Sequence, residues 1–530
     1  MRAGRTLVAL ALVAGLAMAM MTAAAAAPGG AFRGLANDRS GDVDSVLGPR
    51  LDSRPIPSLQ ECGFFADGLV NVKLDCDSTL PNNEPHIAVD PANPLHMVAS
   101  SNDYDSCCDG FYTTFDGGVT WVQGNMSAES RKVFGSDPVT SFDVKHGTTI
   151  HSSLNFKGTG KDGDVVVSIS TDGGLNWDPP VEVFDGTLKN SNDKEWIVTD
   201  NNPGSPYYGR TYVTWSLFRS DDSGTYLESP IWESHSDDGG YTWSPGQEIS
   251  GSDATYCTWQ DDGPAGECDQ DQGSVPTIGP DGTVTVAFWN EQNSAAWEAG
   301  EQFEEQAMVV RSTDGGATWS SPIHVVDEES GSADYPMNVD DRRTLTGYQL
   351  RVNARGNVVA SPIDGKLYLT FSDNRAGEHD TGGTPVTDTN VYVMTSSNGT
   401  TWTGPVAVSD AAGDQWFPWA DVNPQTGQVG VVFNDRSYDL DDDIGYGFTL
   451  ATGTPSSGFS LTKVTTALSD PVHSAFFQAE AAGCEQCATF HGDYVSIGYG
   501  SDGAANIVWT DMRRILNRGL HAQYVYYRRI

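Results

Sequence analysis

The sequence is poor in basic residues and, after its first 27 residues, lacks long apolar runs. Only 30 Lys and Arg stand against 71 Asp and Glu, which gives a formal net charge of −41. Nucleic-acid binding relies on neutralising phosphates with cations, so this balance argues against a nucleic-acid partner. No later apolar run is long enough to cross a bilayer, so we expect no membrane insertion. The acidic surface favours solubility outside the cell and does not steer an anionic ligand towards the protein.

The first residues have the three parts of a secretory signal peptide. Residues 1–5 are basic, residues 7–21 are apolar, and a run of alanines up to Ala27 offers a small-residue cleavage site. We therefore divide the chain into a signal peptide at 1–27, an N-terminal arm at 28–78 and one large domain at 79–530. The mature protein is expected to be secreted, extracellular and monomeric.

Cysteines are also few, with eight in 530 residues. In an exported protein we expect them to form disulfides. Proximity along the chain suggests Cys62–Cys76 and Cys257–Cys268. The other four cysteines pair between the first and last repeats of a closed ring in one interpretation, and form a C-x-x-C metal or redox site in the other. They are Cys107, Cys108, Cys484 and Cys487.

One eight-residue pattern, S/T-x-D-G-G-x-x-W, is abundant. It stands intact at 114–121, 170–177, 236–243 and 312–319, and a degenerate fifth copy at 395–402 has Ser397 at the position of the Asp. Each copy follows a β-rich run, and Asp-Gly-Gly is the chemistry of a tight turn, so each predicts a hairpin connection. The trailing Trp is expected to bury its ring beneath the turn. The Asp residues of the intact copies are Asp116, Asp172, Asp238 and Asp314.

This pattern is the Asp box, and here the chain resembles the bacterial neuraminidase repeat (BNR) family of β-propellers. A motif repeated every several tens of residues indicates a repeat architecture. We predict an all-β propeller of four-stranded antiparallel blades. Seven strand-pair modules from residue 81 onwards favour seven blades, with six as the alternative, which is the number in known sialidases. The seventh module ends after its third strand, so a strand at 70–74 in the N-terminal arm is predicted to close the ring.

Propeller topology brings the starts of the innermost strands and the ends of the second strands to one mouth of the central channel, the usual ligand site. The Asp boxes lie on the other face. Strand starts carry Glu84, Asp137, Asp193, Glu195, Asp493 and Tyr494. Second-strand ends carry Asp103, Glu291, Asp373, Arg375, Asp435, Arg436, Asp511 and Arg513. These residue types suit a carbohydrate ligand, whereas inter-blade ion pairs and loop hydrogen bonds are the structural alternative.

The sialidase resemblance implies a specific set of roles for these residues. Arg375, Arg436 and Arg513 would hold a substrate carboxylate, Tyr494 would be the nucleophile with Glu291 as its base, and Asp103 or Asp137 would be the acid/base. The Asp and Glu residues around them (Asp373, Asp435, Asp511, Glu84, Glu195 and Asp493) would line the substrate site. The chain departs from the family in lacking the Phe/Tyr-Arg-Ile-Pro motif ahead of the first box.

Two functions follow. The first is a secreted, exo-acting glycoside hydrolase similar to exo-α-sialidases, and the second is a non-catalytic extracellular propeller that binds glycans or proteins. Neither requires a cofactor. A Ca²⁺ site is suggested by the alternating carboxylates Asp439, Asp441 and Asp443, with a solvated acidic loop as the alternative.

Overall fold

A computed structural model describes residues 60–62, 64–65, 70–75, 81–104, 106, 108–128, 134–156, 162–258, 264–290, 305–329, 337–339, 342–343, 345, 350–379, 385–441, 444–471, 490–514 and 522–530. The predicted signal peptide lies outside these residues. The regular secondary structure of the described residues is β-strand, apart from one short 3₁₀ turn at Arg436–Tyr438. Within this part of the chain, no helix is long and apolar enough to cross a membrane.

The strands form seven antiparallel sheets that are the blades of a propeller. We number the blades 1 to 7 along the chain and the strands of each blade from the axis outwards. The innermost strands are Asn82–Val89, Phe134–Asp143, Asn190–Thr199, Asp271–Ile278, Arg355–Ala360, Gln415–Val422 and Ser496–Tyr499. The second strands are Met97–Asp103, Thr148–Phe156, Thr211–Ser220, Val284–Asn290, Leu367–Asp373, Val429–Asp435 and Ala505–Asp511.

The outer halves of the blades follow the same order. The third strands are Gly110–Thr114, Asp164–Ser170, Ile231–Ser236, Glu305–Ser312, Asn390–Ser396, Gly447–Thr454 and Tyr524–Arg529. The fourth strands are Trp121–Asn125, Val181–Phe184, Gln247–Glu248, Ile323–Glu328, Thr403–Ala407, Gly458–Lys463 and Val72–Lys73. Additional short strands are Gln60–Cys62, Phe64–Phe65, Tyr226–Glu228, Met337–Val339, Arg342–Arg343, Glu378–His379 and Pro385–Val386.

Each inner strand packs against that of the next blade, and blade 7 packs against blade 1, so the ring is closed. The prediction of seven blades is confirmed. The fourth strand of blade 7 comes from the N-terminal arm, because Val72 and Lys73 pair with Tyr527 and Tyr526, and Phe64–Phe65 pairs with its outer edge. The segment Gln60–Cys62 pairs with the outer strand of blade 1. The arm therefore binds both sides of the seam where the two ends of the chain meet.

The four intact Asp boxes form one turn, repeated between the third and fourth strands of blades 1 to 4. In blade 1, the Thr114 hydroxyl donates to Asp116 Oδ1 at 2.9 Å, and the Gly118 N–H donates back to Thr114 Oγ1 at 3.1 Å. The same carboxylate accepts from the Thr120 N–H at 2.9 Å, and the Trp121 indole donates to the Gly118 carbonyl at 3.0 Å. The hydroxyl and carboxylate contacts recur in the other three intact boxes, whereas within the described residues the indole bond recurs only in blade 3, at Trp243.

The boxes also join neighbouring blades, which the eight-residue pattern does not reveal. A methyl group on Gly118 would lie 2.2 Å from the ring of Tyr527 in blade 7, so only glycine fits there. The Thr113 hydroxyl of blade 1 donates to the carbonyl of Gly174 in the next box at 2.7 Å. Arg210 of blade 3 donates to the Gly315 carbonyl of blade 4 at 2.6 Å. Each of these boxes therefore attaches its blade to the preceding one.

In the fifth box, the residue at the Asp position lies one place later than the sequence pattern predicted. Asn398, and not Ser397, takes the place of the Asp: its Oδ1 accepts from the Ser396 hydroxyl at 3.1 Å and from the Thr401 N–H at 2.9 Å. The Gly399 N–H donates to Ser396 Oγ at 2.8 Å. The turn is one residue shorter than the others because it has a single glycine. A side-chain amide oxygen therefore replaces the carboxylate in this turn.

The disulfide between Cys257 and Cys268 is present, as predicted. Cys108 is also disulfide-bonded. Cys76, Cys107, Cys484 and Cys487 lie outside the described residues, as does the side chain of Cys62. Their predicted pairings remain predictions.

Candidate functional site

The inner strands of six blades have a β-bulge close to the mouth of the channel. In blades 1 to 6 the pairing between the first and second strands shifts register there, as it does between Asn83 and His86 in blade 1. Such a bulge re-aims the side chains around it. Among the described residues, four that are not glycine have a left-handed backbone, and all four lie at this position. They are Glu84, Asp137, Lys194 and Phe417, with φ between 52° and 59°.

Blades 1, 2, 3 and 7, and the loop before blade 5, bring charged side chains together at the axis. Their mutual electrostatic effects define one group, which we call the axial network. Its members are Glu84, Asp137, Asp193, Lys194, Glu195, Arg351, Asp493 and Tyr494. Six of them were predicted from their places at strand starts. The structure thus brings these six predicted residues together, and their functional roles remain predictions.

Asn102 and the backbone hold the first two carboxyl groups in place. Asn102 Nδ2 donates to Glu84 Oε2 at 2.6 Å, and Asn102 Oδ1 accepts from the Asp137 N–H at 2.8 Å. The Asp493 N–H donates to Glu84 Oε1 at 3.0 Å, across the seam between blades 1 and 7. Burial and the charges of Asp137 and Asp493 raise the pKa of Glu84 well above its usual range. Burial also raises the pKa of Asp137, against the effect of a hydrogen bond to Glu84.

The pKa of Asp493 is shifted in the opposite direction to those of Glu84 and Asp137. Arg351 donates to both of its carboxylate oxygens, with Nε at 3.2 Å from Oδ1, and Asn353 donates to Oδ1 at 3.3 Å. Burial opposes ionisation of Asp493, but the guanidinium of Arg351 outweighs it and lowers the pKa of this carboxyl. Its side chain is 29% exposed, so a ligand in the mouth can reach it. The axial network thus contains carboxyl groups with raised pKa values beside one with a lowered pKa.

Near these carboxyl groups, aromatic rings from blades 3, 6 and 7 contact one another. The rings of Trp196 in blade 3 and Trp419 in blade 6 lie 4.6 Å apart, and the ring of Tyr494 in blade 7 lies 5.3 Å from Trp196. The Nζ of Lys194 lies over this surface, which we call the aromatic floor. The Tyr494 hydroxyl is buried and, within the described part of the chain, makes no hydrogen bond. Burial and the charges of Glu84 and Asp137 raise the pKa of Tyr494.

The three predicted clamp arginines pair with carboxylates of their own blades. Arg375 donates from Nε to Asp373 at 2.8 Å and from Nη2 to the Asp327 carbonyl of blade 4 at 2.7 Å. Arg513 donates from Nε to Asp511 Oδ1 at 2.8 Å.

The third arginine, Arg436, donates to Asp414 Oδ2 at 2.7 Å, while Asp435 accepts from the Thr449 hydroxyl at 2.7 Å. Arg375 and Arg513 also lie against tyrosine rings of third strands, those of Tyr392 and Tyr526. The arginine contacts of all three blades therefore join strand ends and loops, and these arginines are not among the groups that act on the axial network.

The remaining predicted residues lie elsewhere. Asp103 accepts from Asn125 Nδ2 at 2.5 Å, on the outer strand of blade 1. Asp439 Oδ2 accepts from the Gly445 N–H at 2.6 Å, so its carboxylate braces the loop predicted to hold Ca²⁺. Glu291 and Asp443 lie outside the described residues. A different acidic group, on the outer edge of blade 2, has ligand atoms within 4.8 Å of one another in Asp164, Glu182 and Asp185.

Sequence reasoning missed the two cations of the axial network. Lys194 stands between two predicted acidic residues, Asp193 and Glu195, so its position at a strand start was a usable signal. Arg351 precedes the inner strand of blade 5, and its contact with Asp493 spans 142 residues. No local sequence pattern predicts an ion pair between residues so far apart in the chain.

Comparison with known proteins adds information on the fold only. No protein-family model matches the sequence, and no curated relative matches it. Among solved structures, a protein of unknown function from Dyadobacter fermentans is 11% identical with a TM-score of 0.45, covering 89% of this chain and 99% of that one. The NanB sialidase from Streptococcus pneumoniae is 9% identical with a TM-score of 0.42, covering 82% and 83%.

An α-L-arabinanase from Penicillium chrysogenum is 13% identical with a TM-score of 0.39, covering 74% of this chain and 92% of that one. At such scores the similarity does not extend to particular residues, so the roles of the axial network rest on its own geometry. By its strand pairing and ring closure, the chain is a seven-bladed β-propeller.

Proposed function

We propose that this protein is a secreted glycoside hydrolase that acts at the axial mouth. One observation carries the proposal: the environments of neighbouring carboxyl groups in the axial network shift their pKa values in opposite directions. Burial raises the pKa values of Glu84 and Asp137, whereas the guanidinium of Arg351 lowers the pKa of Asp493. Titratable groups whose environments push their pKa values apart are the signature of an acid and its ionised counterpart.

Glycoside hydrolysis needs these two states. A protonated carboxyl group donates a proton to the leaving oxygen, and a carboxylate activates water, attacks the sugar or stabilises the oxocarbenium-like transition state. In our proposal Asp137, coupled to Glu84, is the proton donor. Asp493 is the ionised carboxylate and is the more exposed of the two. The Tyr494 hydroxyl lies in the same network and remains the alternative nucleophile.

The arginine pairs argue against a sialoside as the preferred substrate. Recognition of a sugar carboxylate needs free guanidinium groups, and Arg375, Arg436 and Arg513 are each engaged by a carboxylate within their own blade. The same observation favours the second candidate, a non-catalytic propeller that binds glycans, because ion pairs that join strand ends are structural. A test for glycoside hydrolysis distinguishes the enzyme from the glycan-binding protein.

The test is a hydrolysis screen of the secreted, disulfide-bonded protein against 4-nitrophenyl glycosides of neutral sugars and amino sugars, with a 4-methylumbelliferyl sialoside included. We expect turnover of at least one non-sialoside that is lost in Asp137→Asn. No turnover of any substrate, with glycan binding retained, would support the binding protein instead. Tyr494→Phe is measured in parallel: retained turnover excludes the tyrosine as nucleophile and leaves Asp493.

A further inference from the structure

The aromatic floor of the mouth holds an ammonium group. The Nζ of Lys194 lies 3.8 Å from the centroid of the Trp196 ring, 4.1 Å from that of Tyr494 and 5.6 Å from that of Trp419. Within the described residues this Nζ is buried and makes no hydrogen bond. Lys194 reaches the floor from a left-handed backbone with φ of 52°, a conformation that is unfavourable for lysine. The three rings therefore form a seat for an organic cation, and a side chain of the protein occupies it.

Carboxyl groups surround this seat. Asp137, Glu84, Glu195 and Asp493 all act electrostatically on Lys194. Glu195 is fully buried, and neither of its carboxylate oxygens has a hydrogen-bond partner within the described part of the chain. Aromatic faces combined with carboxylates are how proteins recognise ammonium ligands. Glu195 is thus a buried carboxyl group that acts on Lys194 and could accept a hydrogen bond from a ligand.

Two further observations favour a cationic ligand over an anionic one. The net charge of −41 attracts cations towards the surface and repels anions. The arginines that would bind an anionic sugar are paired internally. The charge of the whole molecule and the chemistry of the aromatic floor thus both favour a cationic ligand.

We propose that the axial mouth binds a sugar with a free amino group, an unacetylated hexosamine unit, whose ammonium takes the place of Lys194 on the aromatic floor. The sugar part of this inference rests on the proposed function, and the ammonium part rests on the floor itself. The displaced Lys194 side chain moves from the rings to the surrounding carboxyl groups. Acetylation of the amino group removes the charge that the seat recognises, so the acetylated sugar is excluded.

The test is calorimetric titration of the intact protein with a glucosamine trimer and with its fully N-acetylated counterpart, at near-physiological salt to screen non-specific attraction. We expect the amino trimer to bind at least about tenfold more tightly, since cation–π contacts are worth on the order of 1–2 kcal/mol in a desolvated site. Equal affinities, or no binding of the amino trimer, would overturn the proposal.

Three variants locate the binding. Lys194→Ala empties the seat and is expected to strengthen binding of the amino trimer, whereas Lys194→Arg keeps a cation there and is not. Trp196→Leu leaves the net charge unchanged and is expected to weaken binding at least about tenfold. Weaker binding in Lys194→Ala, or unchanged binding in Trp196→Leu, contradicts the seat, provided that thermal melting shows both variants folded.

The failure of this inference is distinguishable from the failure of the proposed hydrolysis. If the amino trimer binds through the seat and no glycoside is hydrolysed, the ligand class stands and the enzymatic function falls. If a neutral glycoside is hydrolysed and the amino trimer does not bind, the hydrolase stands and the ammonium seat falls.

Discussion

The two faces of this propeller both carry carboxyl groups, but the environments of Asp314 on one face and Asp193 on the other shift the pKa values of these two groups in opposite directions. On one face, the carboxylates of the Asp boxes accept hydrogen bonds from hydroxyl and N–H groups two to four residues away in the chain. Thr318 and Ser312 hold the pKa of Asp314 below its usual range in this way. On the other face, burial and neighbouring charges raise the pKa of Asp193 to about 8. A carboxylate that its own turn satisfies is structural, whereas one brought into an axial network by the fold is a candidate for chemistry.

The largest expected effect comes from Asp493→Asn, which removes the ionised carboxylate of the axial network. We expect turnover of the substrate found in the screen to fall about 10²- to 10⁴-fold, the range for loss of an acid–base or charged catalytic group. The matched control is Asp314→Asn, on the opposite face, for which we expect less than about a twofold change. Comparable losses in both variants would mean that the two faces do not differ in function.

The second comparison concerns two glycines with left-handed backbones. Gly118 has φ of 87° and lies against Tyr527, whereas Gly147 has φ of 70° and, among the described residues, no atom within 4 Å of the place that a Cβ would take. We expect Gly118→Ala to lower the free energy of unfolding by about 2–4 kcal/mol, because backbone strain and overpacking add. Gly147→Ala should cost about 1–2 kcal/mol from strain alone. Urea unfolding measures both, and equal costs would remove the inter-blade role of the box.

A pH dependence tests a buried carboxyl group outside both regions. Burial raises the pKa of Asp421 to about 6 from its ordinary value of 3.8, against hydrogen bonds from the N–H groups of Tyr499 and Val422. The folded protein therefore holds this proton more tightly than the unfolded chain, so its contribution to stability falls as the pH rises from about 4 to about 6. Asp421→Asn should remove this part of the pH dependence in urea unfolding. An unchanged pH profile would contradict it.

The smallest expected effect is a gain. Asn398→Asp gives the fifth turn a second carboxylate oxygen, which the Thr401 hydroxyl can reach as Thr120 reaches Asp116 at 2.7 Å in blade 1. We expect the free energy of unfolding to rise by about 0.5–1 kcal/mol, the worth of one hydrogen bond. The gain should vanish in the double variant with Thr401→Val. No gain in the single variant would mean that Asn398 already satisfies the turn.

The amino-acid sequence was enough to predict the propeller, the number of its blades and the turns of one face. Those features depend on interactions within a few residues: the Thr114 hydroxyl, the Asp116 carboxylate and the indole of Trp121 belong to one turn. The sequence also located six residues of the axial network, because antiparallel topology sends the strand starts to one mouth. Position in the repeat did not reveal which of their pKa values would be raised and which lowered.

The chemistry of the mouth depends on how the blades come together. Ring closure brings the Asp493 N–H to Glu84 across 409 positions of the chain, and Arg351 to Asp493 across 142. Burial by neighbouring blades sets the pKa values, and rings from blades 3 and 6 meet under Lys194. Several blades together determine the charge and the burial of each group at the axis. A single segment of the sequence therefore does not contain enough information to predict either one.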